Sequence, residues 1–256
     1  MDTLIVTLAS FLAGMIDAIA GGGGLITVPA LFAVFPDSAP ASLLGTNKGS
    51  AIWGTTFAAR QYARRVRLRR AVLLPAIGMA LLGSLLGAWT VTLIDPGFLR
   101  QLLPLVLLAL LVYTLAKKDL GRHAQTALPQ RTETLLMGAM ALVIGFYDGF
   151  FGPGTGSFLV FLFVRFLGHD FLQATANAKF INIATNFSAL LLFAAKGHVW
   201  WQVALYMAVA NVAGSLLGTR LALRHGTGFV RVVFILVVAT LIVKTGWDAL
   251  AITQRP

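Results

Sequence analysis

The sequence predicts an all-α, polytopic membrane protein made of two tandem helical repeats. Three observations carry that prediction. Of 256 residues, 58% are hydrophobic and 11% charged, against roughly 25% charged in soluble domains, so the chain lacks polar surface to meet water on all sides. Its apolar runs, among them Val72–Ile94, Leu102–Ala116 with its flanks, Trp200–Leu221 and Phe229–Leu250, reach the ~20 helical residues that cross a bilayer core. The chain also matches itself without a gap at a shift of 131 residues. A membrane β-barrel would instead show short segments of alternating polarity.

The self-match rests on four motifs in one register. "GMIDAIAGGGG" from Gly14 falls on "GFYDGFFGPGT" from Gly145, pairing Asp17 with Asp148. "TNK" at Thr46–Lys48 falls on "NAK" at Asn177–Lys179, "GSLLG" at Gly83 on an identical "GSLLG" at Gly214, and "FLR" at Phe98 on "FVR" at Phe229. The chain therefore divides into a first transmembrane repeat over 1–121, a basic linker over 122–132 and a second repeat over 133–256.

In the first repeat the expected segments are Thr3–Ala20, Leu25–Phe35, Ala41–Ala59, Ala71–Ile94 and Phe98–Ala116. Leu25–Phe35 would be roughly 16 Å of helix, too short for a ~30 Å hydrocarbon core. The glycine run before it breaks the first crossing, since glycine is among the worst helix interiors. The short piece either continues in line or re-enters as a hairpin. With Arg60–Arg70 and Lys117–Arg131 cytoplasmic and "DPG" at Asp95–Gly97 outside, re-entry inverts the second repeat. Arg165, Arg220, Arg224 and Arg231 then fall inside, and Lys196, Lys244 and Arg255 outside. That balance, with the acidic start at Met1–Leu4, favours inverted repeats.

The net charge of +11 concentrates in those two loops, which reads as a topology signal with attraction to anionic lipid, not as nucleic-acid binding. The absence of cysteine excludes disulfides and thiolate chemistry. No cleavable signal is expected at "MDTL". "GFFGPGTGS" lacks the lysine of a phosphate loop, and no strand precedes it. His123, His169, His198 and His225 show no ligand spacing, so no metal site or cofactor is expected. No serine has a plausible base, and an enzyme is not expected.

Non-helical backbone at membrane depth belongs where it lines a cavity, and broken helices at matching places in two repeats mark transporter sites. Half-helix N-termini favour anions. The expected binding residues are Gly21, Gly22, Gly23, Gly24 and Leu25 in one break and Gly152, Gly154, Thr155, Gly156 and Ser157 in the other. Lys48 and Lys179 lie at matching mid-helix positions, where a lysine costs roughly 3 kcal/mol to insert. Around them stand Thr46, Asn47, Thr55 and Thr56, and Asn177, Asn182, Thr185 and Asn186. Asp17 and Asp148 could pair with the lysines, cap amides or carry protons. Asn211 reads as an interhelical hydrogen bonder, the "GSLLG" pair as a tight helix contact, and Trp89, Trp200, Trp201 and Trp247 as interfacial anchors.

"GMIDAIAGGGGLITVPAL", "TNK" and "GFYDGFFGPGTGSF…ANAKFINIATN" together resemble the sulfite exporter TauE/SafE family, over essentially the whole chain. The resemblance implies a bacterial inner-membrane carrier of small sulfur-containing anions such as sulfite, sulfoacetate or thiosulfate, with no ATPase domain. A secondary transporter working by alternating access is thus expected. An anion channel using the same residues is the alternative, and a membrane scaffold a third class.

Overall fold

The computed structural model describes residues 1–95 and 128–253, with side chains beyond Gly226 only for Phe229 and Val232. The expected Phe98–Ala116 segment, most of the linker and His123 lie outside these residues, as does any description of the Lys244 and Trp247 side chains. Eight α-helices and no strand occur among the described residues. They are α1 (Asp2–Ala20), α2 (Gly24–Val34), α3 (Pro40–Ala63), α4 (Arg70–Val91), α5 (Gln130–Phe150), α6 (Thr155–Phe166), α7 (Phe171–Ala195) and α8 (Trp201–Thr253). Helix α8 kinks at Gly226, whose φ of 71° and ψ of −163° leave helical space. Helices α2, α3 and α4 begin at Gly24, Pro40 and Arg70; α6, α7 and α8 each begin 131 residues later.

Among the described residues, five stretches are long and apolar enough to cross a membrane: α1, α4, α5, α7 and Trp201–Gly226 of α8. Helix α3 has 24 residues, or about 36 Å, but buries Thr46, Asn47, Lys48, Ser50 and Thr55. Its polar face is turned inward, while Trp53 and Phe57 are exposed on the outside. Large apolar side chains such as Leu8, Leu74, Leu135, Leu191 and Leu205 are exposed on the outer helices, as a lipid-facing surface requires.

Glycine sets the two longest helix contacts. A Cβ on Gly83 or Gly87 of α4 would enter the α5 backbone at Leu142 and Phe146, and one on Gly214 or Gly218 of α8 would enter α1 at Phe11 and Met15. The tight contact expected of "GSLLG" is therefore present twice. Each contact joins α1 or α4 of one half to a helix of the other, and in each the two helices run in the same direction. Helix α3 runs against α7: Leu44 clusters with Ala189 and Phe193, Tyr62 with Ala176 and Ile181. Gly87→Leu or Gly218→Leu should each lower the unfolding midpoint in detergent by about 5 °C or more, through overpacking worth roughly 1–3 kcal/mol. Gly78→Leu should leave it unchanged, because nothing lies within 4 Å of a Cβ there. Scanning fluorimetry of the three variants checks this.

The short helices fold back. Leu31, near the end of α2, is buried in one cluster with Val6 from the start of α1 and Leu43 from the start of α3, so α2 returns alongside α1. With 11 and 12 residues, α2 and α6 are roughly 16–18 Å long. One end of the bundle gathers the Arg60–Arg70 loop, Arg131, Arg165, Arg220 and Arg224; Asp2, Asp37, Asp95 and Lys196 lie at the other.

Candidate functional site

The two breaks meet at the centre of the bundle. Helix α1 ends at Gly21 in the left-handed region, with φ of 80°. In the second break Gly152 and Gly154 have φ of 93° and 82°. The Ser157 amide donates to the Gly21 carbonyl at 2.8 Å, and the Ser157 hydroxyl donates to the Ala20 carbonyl at 3.0 Å. A Cβ on Gly21 would penetrate the backbone of Gly156, and one on Gly156 that of Gly21. Glycine here serves close packing as well as chain reversal.

Beside this junction lies a small cavity of about 30 Å³, room for a water or two. It is lined by Gly21, Gly23, Gly24 and Thr27 of the first break, Gly152, Thr155 and Gly156 of the second, Asp17, Asp148 and Lys48, and by Asn47, Thr55, Asn182, Asn186 and Asn211. The cavity therefore draws on both breaks and on α3, α7 and α8.

Two buried ion pairs tie the halves together crosswise. Lys48 Nζ of α3 lies 2.7 Å from Asp148 Oδ2 of α5, and the side chains are 2% and 3% exposed. Lys179 Nζ of α7 lies 2.7 Å from Asp17 Oδ2 of α1, the side chains 1% and 14% exposed. Lys179 also donates to the Asp17 carbonyl, and Thr55 donates to Asp17 Oδ2 at 3.3 Å. Asp148 Oδ1 accepts from the Thr155 hydroxyl at 2.7 Å. Oδ2 faces the lysine ammonium and no other described donor. Of the roles open to Asp17 and Asp148, the geometry gives lysine pairing, and no amide capping by either carboxylate is present among the described bonds. Gly152 leaves room for this: a Cβ there would sit 3.0 Å from Lys48 Nζ and 3.3 Å from Asp148 Oδ1.

The lining is oriented by neighbours. Thr27 donates to Asn47 Oδ1 at 2.6 Å, and Asn186 donates to Asn182 Oδ1 at 2.8 Å. With these oxygens occupied, the amide NH₂ ends of Asn47 and Asn182 are the donors left to meet a guest. Asn211 donates to the Ser10 carbonyl at 3.0 Å, the interhelical bond expected of it, and lines the cavity as well.

Several expected binding residues lie elsewhere. Thr46 donates to Ser42 and accepts from the Trp200 amide at 3.0 Å, fastening the start of α8. Asn177 sits 3.3 Å from His169 Nδ1, in a separate buried cluster where His169 Nε2 lies 3.0 Å from Glu133 and Arg69 pairs with the other Glu133 oxygen. Gly22, Leu25, Gly154, Ser157 and Lys179 are behind the lining, and Leu25 packs on Gly154. The amides of Leu25, Thr155 and Ser157, expected to meet an anion, donate instead to Gly22, Gly152 and Gly21. Thr27 was not foreseen; its one signal is a hydroxyl in the first turn of an otherwise apolar half-helix. The His169–Glu133 contact was also missed, because 36 residues separate the partners. Among the described residues no group of three His, Asp or Glu is placed to hold a metal.

Known proteins resemble this chain along its length. The model of the family described as "Sulfite exporter TauE/SafE" matches residues 6–245. "Probable membrane transporter protein ORF9" of a Sinorhizobium species is 38% identical over 240 residues, 92% of this chain and 89% of that one. "Probable membrane transporter protein YfcA" of Escherichia coli K12 is 37% identical over 241 residues, 94% and 88% of the two chains. A "Probable membrane transporter protein" of Haemophilus influenzae is 37% identical over 246 residues, 93% of each. No solved structure matches. With its family match, these relatives and, among the described residues, five stretches long and apolar enough to cross a membrane, the chain is a multi-pass membrane transporter that belongs to the TauE/SafE sulfite exporter family.

Proposed function

We propose that this protein carries small sulfur-containing anions, of the sulfite, sulfonate or thiosulfate type, across the bacterial inner membrane by alternating access. The observation that carries the reading is a central cavity built where two glycine breaks meet, with a buried lysine in its wall. Amide NH₂ donors and an ammonium suit an oxyanion. The family description, sulfite exporter, supports the sulfur class. The opposed directions of α3 and α7, and the crosswise contacts of α1 with α8 and α4 with α5, support inverted repeats divided near the 122–132 linker. The arginine-rich end is then cytoplasmic. The lining of the cavity comes from both ends of the sequence, so rocking of one repeat against the other would open and close it, as alternating access needs.

The test is uptake into liposomes of sulfite, sulfoacetate, thiosulfate, sulfate and chloride. Saturable uptake of a sulfur oxyanion with counterflow is the expected result. Sustained single-channel currents would mean a channel, and no flux of any sulfur anion would overturn the substrate class.

A further inference from the structure

We propose that Asp148 is the proton carrier of the transport cycle. An anion takes its place beside Lys48, and Asp148 takes up one proton at Oδ2 as it lets go. This rests on the anion reading above and adds the coupling ion to it.

The two ion pairs are unequal. Lys179 is anchored by the backbone carbonyl of Asp17 as well as by its carboxylate, and Asp17 is also bonded by Thr55. Lys179 does not reach the cavity, so that pair is a fixed tie. Lys48 and Asp148 both line the cavity, and the 2.7 Å contact at Oδ2 is the one described tie between them. A guest anion that seeks an ammonium in this wall can reach Lys48, and Asp148 is what stands in its way.

Charge accounting then requires a proton. Lys48 and Asp148 are neutral as a pair; a guest anion adds its own charge to a buried site, two negative charges for thiosulfate or sulfoacetate, and a proton on Asp148 removes one of them, since an unpaired buried carboxylate is far costlier than a neutral one. No second cation can relieve it. Among the described residues Lys48 is the sole cation within ion-pairing distance of Asp148. Across the cavity, Asp17 on α1 is already held by Lys179 of α7. Helix α2 has no charged residue, α4 only Arg70 at its start, and α6 only Arg165 in its last turn. At the start of α7, His169 and Asp170 flank the distant Glu133–Arg69 cluster, while Arg220, Arg224 and His225 lie late in α8. On α5 itself Glu133 belongs to that cluster, and Tyr147 donates to the Pro153 carbonyl. Oδ2, freed when Lys48 turns to the anion while Oδ1 stays held by Thr155, is the atom that gains the O–H bond.

Thiosulfate and sulfoacetate, whose charge stays constant near neutral pH, are the probes. Proteoliposomes are clamped at zero potential with potassium and valinomycin, made one pH unit more acidic outside, and loaded with a fluorescent pH dye. Wild type should accumulate a probe about tenfold and acidify the lumen by close to one proton per anion. Asp148→Asn should reduce the ratio of gradient-driven to undriven uptake to one, whatever its absolute rate. Anion flux in wild type with no proton movement overturns the proposal and leaves the carrier reading standing. So does gradient-driven accumulation by Asp148→Asn. Absence of flux for both probes and for sulfite overturns both readings. If Asp148→Asn does not elute as a single species, the wild-type proton count decides alone.

Discussion

Lys48→Met should abolish saturable anion uptake and lower the unfolding midpoint in detergent by about 6–20 °C. The range follows from leaving Asp148 buried without a partner, at about 3–5 kcal/mol, converted for a chain of this size. The larger effect is separable from the functional one. In Lys48→Met/Asp148→Asn no charge remains to be compensated, and most of the lost stability should return, because two neutral residues can replace a buried pair at little cost. Uptake should stay absent. Scanning fluorimetry and proteoliposome flux on the two variants check both halves, and recovery of flux in the double variant would make Lys48 a structural tie with no part in binding.

Gly21→Ala should be nearly as severe. The new methyl meets two obstacles that do not depend on each other. At φ of 80° an L-residue with a side chain loses roughly 1–2 kcal/mol, and the Cβ would sit within the backbone of Gly156 and Ser157, where overpacking costs about 1–3 kcal/mol. Forcing the breaks apart would also cost the Ser157-to-Gly21 hydrogen bond. Loss of monodisperse protein, or a midpoint lowered by about 5 °C or more with flux lost, is the expected outcome. A stable, fully active Gly21→Ala would show that the junction has slack the geometry does not suggest.

Much of the fold is legible before any coordinates because lipid imposes a simple code. Apolar length locates α1 and α4 to within a few residues, and the shortness of Leu25–Phe35 announces a piece that cannot cross alone. The glycine break locates the site, since irregular backbone is tolerated only where protein or a cavity surrounds it. The pairing of partners is what stays hidden. Lys48 is 100 residues from Asp148, and nothing local says whether a carboxylate will meet an amide or an ammonium. Asn177 belongs to the "TNK"/"NAK" match as Lys179 does, but it lies two residues nearer the start of α7, roughly 200° round the helix, and falls to His169. Repeat position therefore identifies equivalent places without assigning them equivalent work. Thr46, its counterpart, fastens α8 instead.

The crosswise glycine seams bear on how the chain is made. Helix α1 has its closest partner in α8, which leaves the ribosome roughly 180 residues after α1, or about 10–40 s at ordinary elongation rates. For that interval the Gly14 face of α1, shaped to accept another backbone, has only lipid or the insertion machinery against it. The seam of α4 and α5 has both its helices made much sooner, so the two seams become available at different points of synthesis, the α1 seam last.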